Sequence, residues 1–228
     1  MLYTRNVPGR AYRQYCGLAR AAELLGERWA LPIVRDLLVA PKRFTDLQRG
    51  LPGIPSNVLT TRLKELEEAE VVRRRVLPRP AGSVVYELTP YGAELEDALV
   101  ALGRWGAKSL GEPRPDDAVT EDSLIVALRS TFRPEAAAGV KANFELRMGP
   151  IVIHAKVANK RVAVASGSLA NADLVIEAGP GIRALMAGET TPAAARKSGT
   201  VRIHGKGRPE MLDVFAKLFR IDPKPATA

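Results

Sequence analysis

The 228-residue sequence predicts two domains, a mainly α first half carrying one β-hairpin and an α+β second half. Three observations lead there. The chain is longer than the roughly 100–150 residues that one hydrophobic core commonly serves. Residues 17–110 repeat apolar side chains at helical spacing, interrupted once by the β-prone runs 71–77 and 84–88. Residues 111–119, Gly-Glu-Pro-Arg-Pro-Asp-Asp-Ala-Val, carry no apolar period, and a clean period-two alternation follows at 141–148. The expected boundaries are 1–112 for the first domain, 113–118 for a linker, 119–221 for the second domain and 222–228 for a disordered tail.

The first helix is expected over 17–26, with Leu18, Ala22 and Leu25 on one face and Gly26 as its stop. A second, 29–39, places Trp29, Ile33, Leu37 and Leu38 at helical spacing and ends before Pro41. Thr45 reads as the N-cap of a short third helix, with Gln48 as its capping-box partner, before Gly50, Pro52 and Gly53 break it. Ser56, after Pro55, reads as the N-cap of a fourth helix reaching about Ala69. Steps of 100° per residue put Leu59, Leu63 and Leu66 on one face and Asn57, Thr60, Thr61 and Lys64 on the other. The two β-prone runs form a hairpin with a basic, proline-containing tip. Thr89 then caps a long helix with Pro90 at its first position, carrying Leu95, Leu99, Leu102 and Trp105.

The second half opens with a helix at 121–132 bearing Leu124, Leu128 and Phe132. In 141–148, Ala142, Phe144, Leu146 and Met148 alternate inward along a half-buried strand. Further strands are expected at 151–157, 161–166, 173–177 and 200–204, and helices at 181–187, 192–197 and 209–219. That order predicts a sheet with its helices on one face.

Net charge is +9, which favours a polyanionic partner. Residues 1–64 hold 11 Lys or Arg against 4 Asp or Glu, and Arg73, Arg74, Arg75 and Arg79 follow with no acid among them. Cys16 is the sole cysteine, so no intrachain disulfide forms. The absence of an apolar leader or membrane-length span makes a cytoplasmic protein the expectation. His154 and His204 have no second ligand at metal spacing, Gly205-Lys206-Gly207 lacks the setting of a dinucleotide loop, and no nucleophile elbow occurs. The expectation is therefore neither an enzyme nor a protein with a metal or cofactor.

Four helices, a hairpin and a further helix follow the order of a winged helix-turn-helix. In that arrangement one helix crosses the phosphate backbone and the next enters the major groove, where base edges demand polar side chains. The candidate DNA contacts are Thr45, Ser56, Asn57, Thr60, Thr61, Arg62 and Lys64, with Arg75 and Arg79 on the wing. At most two of the arginines 73–75 can face a duplex together, because alternate strand residues point opposite ways. The four glutamates within 65–70 read as a solvated helix end.

Several motifs in order now carry a resemblance: Cys16 at a helix start, Ala-Glu-Leu-Leu-Gly-Glu-Arg-Trp (22–29), Arg-Phe-Thr-Asp-Leu (43–47), Leu-Pro-Gly-Ile (51–54), Val-Leu-Thr-Thr-Arg-Leu-Lys-Glu-Leu-Glu (58–67) and Tyr-Glu-Leu-Thr-Pro-Tyr-Gly (86–92). Residues 16–110 resemble the HxlR-type winged helix-turn-helix regulators. The resemblance implies a homodimer joined through the first and last helices of this domain, a near-palindromic double-stranded operator and, for most members, repression. Two departures stand out. Gly17 follows Cys16 where the family usually has proline, and Ser83 stands where its wing often carries arginine, which moves the preferred wing contact to Arg79.

Residues 119–221 resemble the sterol-carrier-protein type of lipid-binding domain, through Ala-Asp-Leu-Val-Ile-Glu-Ala (172–178), Leu-Met-Ala-Gly-Glu (185–189), Thr-Pro-Ala-Ala-Ala (191–195) and Ser-Gly-Thr-Val-Arg-Ile-His-Gly (198–205). That resemblance implies a five-stranded sheet and helices around an apolar cavity. Phe132, Phe144, Leu146, Leu185, Met186, Phe215 and Phe219 either line such a cavity or form the core. The combined expectation is a dimeric repressor whose operator binding responds to a hydrophobic small molecule in the second domain. Two alternatives stay open: a redox-sensing repressor acting through Cys16, whose thiol lies at a helix start near Arg13 and Arg20, and a lipid-binding carrier.

Overall fold

The computed structural model describes residues 11–78, 82–204 and 208–225. Packing contacts separate two units, Met1–Leu99 and Val100–Ala228. Arg79, Gly205-Lys206-Gly207 and residues 226–228 of the tail lie outside the described residues.

The first unit begins with α1 (Gly17–Leu25), α2 (Ala30–Leu37), α3 (Phe44–Gly50) and α4 (Ser56–Glu68). The apolar face expected on α1 is only partly covered among the described residues: Leu25 packs against the core while Leu18 is 80% exposed. Helix α2 starts one residue later than expected. Trp29 holds a left-handed φ of 81°, which a helix interior cannot contain, and the Arg28 guanidinium lies over its ring at 5.2 Å. Ala30, Ile33, Val34 and Leu37 are buried on its inner face.

The start of α3 corrects the sequence reading. Its cap position is Arg43, two residues before Thr45, and the Asp46 carboxylate accepts from the Arg43 backbone N–H at 3.3 Å. Thr45 lies inside the helix. Gln48, freed of a capping role, donates its amide to Ser56 Oγ at 2.5 Å. Ser56 in turn is the first helical residue, behind Pro55, and not the cap.

Strands β1 (Val72–Val76) and β2 (Val84–Leu88) pair antiparallel with Arg73 opposite Glu87 and Arg75 opposite Val85. Lys42 adds a third partner beside Tyr86 through two backbone bonds of 2.9 and 2.7 Å, a pairing that no local pattern announces. The expected single long helix after the wing is two: α5 (Pro90–Ala93) and α6 (Glu96–Ala107). Thr89 caps α5, accepting from the Gly92 N–H at 3.0 Å and donating to the Glu70 carbonyl at 2.6 Å. At Glu94 and Leu95 the backbone tightens to i→i−3 bonds, which breaks the α-helical ladder. Leu47, Leu59, Leu63, Leu66 and Leu99 meet in the core, while Leu102 and Trp105 are exposed.

The second unit contains α7 (Glu121–Thr131), capped reciprocally by Thr120 and Ser123, and a short 3-10 turn, Glu135–Ala137. Five strands follow: β3 (Ala142–Met148), β4 (Ile151–Ala158), β5 (Arg161–Ser166), β6 (Leu174–Ala178) and β7 (Val201–His204). Helices α8 (Ile182–Met186) and α9 (Pro192–Lys197) connect β6 to β7, and α10 (Met211–Leu218) ends the unit. The sheet order is β5-β4-β3-β6-β7, with only β3 and β6 parallel. The alternation of β3 holds, since Ala142, Phe144, Leu146 and Met148 are all buried.

Phe132, Phe144, Phe215 and Phe219 stack at centroid distances of 4.8–6.2 Å and are at most 5% exposed. They fill the interior as core. Leu185 and Met186 reach instead the edge of a cleft of about 290 Å³, which Thr190, Thr191, Lys217 and Arg220 also line. Glu145, on the opposite face of β3, is buried against Arg147 and the Leu169 N–H, each at 2.7 Å. The tail begins later than expected, because Asp222 is ion-paired to Arg133 at 2.7 Å.

Candidate nucleic-acid interface

The candidate reading face follows from the amphipathic period of α4. Leu59, Leu63 and Leu66 are at most 1% exposed, so their burial fixes the rotation of the helix about its axis. Asn57, Thr60, Thr61 and Lys64, away from the leucine stripe, and Ser56 at the first helical position are all exposed. The Gln48–Ser56 bond links α3 to the start of α4, and Thr45 is exposed on α3. Thr60 and Thr61 donate their hydroxyl protons back to the carbonyls of Ser56 and Asn57, each at 2.9 Å. Lys64 stays 76% exposed, with Glu68 no closer than 3.9 Å.

Arg62 does not share that face. Its side chain is 12% exposed and ion-paired to Glu27 at 3.0 Å and to Glu65. The guanidinium thereby ties α4 to the turn ahead of α2. Arg43 and Arg49, which the sequence reading passed over, are exposed at the two ends of α3, the second 80% exposed with Asp46 at 3.7 Å. Their signal was present in the basic excess of residues 1–64.

On the wing, Arg73 and Arg75 share one strand face and one carboxylate. Glu87 accepts from Arg73 Nε at 2.9 Å and from Arg75 Nε at 2.7 Å. Hydrogen bonding from Arg75 acts most strongly on the Glu87 carboxyl and, with a lesser contribution from Arg73, holds it below the usual carboxylate range against burial, which pushes it up. Arg74 points to the other face and lies over the Tyr86 ring at 5.8 Å. The sequence reading missed Glu87. Only the cross-strand register reveals it, and the hairpin tip that sets the register has no diagnostic two-residue turn.

Cys16 is exposed at the N-cap of α1. Backbone N–H groups of Ala19 and then Leu18 stabilise its thiolate and hold the thiol below its ordinary pKa. Tyr15, Gly17, Arg20 and Glu23 line an open cleft around it. Among the described residues no cluster of His, Cys, Asp and Glu can hold a metal ion, and no helix is long and apolar enough to cross a membrane. His154 hydrogen-bonds the Gly167 carbonyl at 2.9 Å, and His204 meets Glu177 at 2.6 Å.

Comparison with known proteins supports the same region. Residues 24–113 match the HxlR-like helix-turn-helix family. The HTH-type transcriptional regulator YodB of Bacillus subtilis is 37% identical over 102 residues, covering 45% of this chain and 88% of the relative. YtcD of the same organism, an uncharacterized HTH-type transcriptional regulator, is 36% identical over 104 residues, covering 45% of this chain and 82% of the relative. Among solved structures, the reduced form of YodB from B. subtilis is 35% identical and covers 43% of this chain and all of that one, at a TM-score of 0.39. The family match ends at residue 113 and lends nothing to the sterol-carrier resemblance of the second half.

Proposed function

This chain belongs to the HxlR-like helix-turn-helix family of transcriptional regulators, and we propose that it acts as a homodimeric repressor that reads its operator with the exposed face of α4. The observation that carries this reading is the pairing of three fully buried leucines with Asn57, Thr60, Thr61 and Lys64 on the opposite, exposed side. A helix so anchored turns its polar side chains toward a major groove. Thr45 and Ser56 flank that face, and Arg75 and Arg79 contact phosphates beside it.

Exposed apolar side chains support the dimer. Tyr15 and Leu18 lie bare at the start of α1, and Leu102 and Trp105 lie bare on α6. The first and last helices of the domain are where the resemblance puts the subunit contact. A near-palindromic site then matches the two-fold axis.

The test is a gel shift with the duplex upstream of the chain's own coding region. Asn57→Ala and Lys64→Ala should each cost about 1–3 kcal/mol for a lost base contact. Arg79→Ala should weaken all sequences alike and flatten the salt slope by about one unit. A protein that binds no duplex at low salt would end this reading.

The second unit is proposed to be the effector module, of sterol-carrier type, taking a hydrophobic small molecule. The cleft beside Leu185 and Met186 supports an entry there, while the closely packed phenylalanines require rearrangement before a ligand could sit among them. A thermal-shift screen with lipids and apolar phenolics that raised no melting temperature would remove the effector. A second reading, redox control, is favoured by the exposure and thiolate-stabilising position of Cys16. A Cys16→Ser protein that kept its full response to oxidant would dispose of it.

A further inference from the structure

The exposed side chains of α4 divide into groups that can donate a hydrogen bond and groups that cannot. A threonine hydroxyl has one proton. Thr60 and Thr61 both place that proton on a carbonyl of their own helix, at 2.9 Å. What each then offers outward is an acceptor lone pair and a methyl group. Donors lie one turn to either side: the Asn57 amide, four residues before Thr61, and the Lys64 ammonium, four residues after Thr60.

We infer that Thr60 and Thr61 form a donor-free, methyl-bearing centre of the reading face, and that this centre selects A·T pairs in the middle of each half-site through the thymine methyl. The inference rests on the DNA-reading role of α4. Guanine shows the major groove two acceptors, N7 and O6, which an acceptor-only hydroxyl leaves unpaired. An A·T pair matches both features: the adenine N6 amino group donates to Oγ1, and the thymine C5-methyl packs on Cγ2. A G·C pair offers a cytosine amino group but no methyl, and it brings the unmatched guanine acceptors with it.

The experiment begins with selection of tight-binding duplexes from a randomised pool by the full-length wild-type chain. Each thymine in the selected half-site is then replaced by deoxyuridine, which removes only the methyl group. At one or two central positions the replacement should weaken binding about fourfold, the value of one carbon kept from water. The Thr60→Ser and Thr61→Ser proteins keep the hydroxyl and its helix bond but lack the methyl, and one of them should bind thymine and deoxyuridine duplexes alike at its position. Circular dichroism of these two variants should match wild type. Half-sites centred on G·C, or thymine preference that survives in both serine variants, would overturn the inference while leaving DNA binding intact. Enrichment of no duplex at all would instead overturn the proposed function on which the inference stands.

Discussion

Replacing Glu87 by glutamine should tighten DNA binding while slightly weakening the fold. The carboxylate contacts Arg73 at 2.9 Å and Arg75 at 2.7 Å and is 12% exposed, whereas the two arginines are 59% and 44% exposed. One negative charge therefore cancels half of the positive charge on that face of the wing. Glutamine keeps the shape and releases one net charge for a phosphate. Each added phosphate contact steepens the salt dependence by about 0.9 in log K against log salt, which is roughly eightfold in affinity at 0.1 M relative to 1 M. The ion pairs are solvent-screened on the arginine side, so their loss costs stability only about 0.2–1 kcal/mol each. Fluorescence anisotropy across about 50–200 mM salt and urea unfolding should thus move in opposite directions. The Glu87 carboxyl is depressed, so its pairing is present at neutral pH and is lost only as pH falls through that lowered value. The gap between wild type and variant should hold across about pH 5–8. Weaker binding by Glu87→Gln at every salt concentration would refute the argument, because the carboxylate would then be holding the arginines in the geometry DNA needs.

Gly92→Ala should destabilise the first unit by about 3 kcal/mol in urea unfolding, because the new Cβ would lie 2.0 Å from the Val71 carbonyl oxygen, a backbone atom that cannot step aside. Phe215→Ala should cost about 3–5 kcal/mol, since the ring is fully buried against Phe219 and Phe144; a stability loss under about 1 kcal/mol would mean that the ring lines a cavity rather than filling the core. Cys16 should alkylate with iodoacetamide faster than a cysteine in an unstructured peptide near pH 7, because the Ala19 and Leu18 N–H groups stabilise the thiolate. Equal rates would show that the helix start does not activate it.

The sequence revealed elements wherever a period was long or a cap was unambiguous. The α4 leucines, the β3 alternation and the Thr89-Pro90 start are all local signals, and each stands where it was read. The misreadings share another cause. Arg43, not Thr45, begins α3 because Asp46 reaches back to its N–H, and several residues in that stretch have side chains able to cap. The break between α5 and α6 follows the point where Thr89 fastens the chain to Glu70 and Val71 and Gly92 packs closely on Val71, and sequence spacing does not encode that fastening. The half-covered stripe of α1 shows the reverse case: periodicity reports apolar spacing, but not how far packing covers it.

Charge was less legible than periodicity, because a cation's role depends on its partners. Lys64 and Arg62 lie two residues apart and both read as DNA contacts. Yet steps of 100° already place Arg62 about 60° from Leu59, on the flank of the buried stripe. The structure uses that position, pairing Arg62 with Glu27 and Glu65 while Lys64 remains 76% exposed. This division matters for reading bases. Hydrogen bonds to base edges weaken steeply with misalignment, so a reading face needs its helix held against rotation as well as translation. Burial of the three leucines sets which face of α4 looks outward, but a small further rotation about the axis costs nondirectional apolar contacts less than it costs a directional ion pair. A guanidinium pinned by two acids on one flank opposes that rotation directly. In the proposed mode of binding Arg62 acts from outside the reading face, and its charge is best counted with the core.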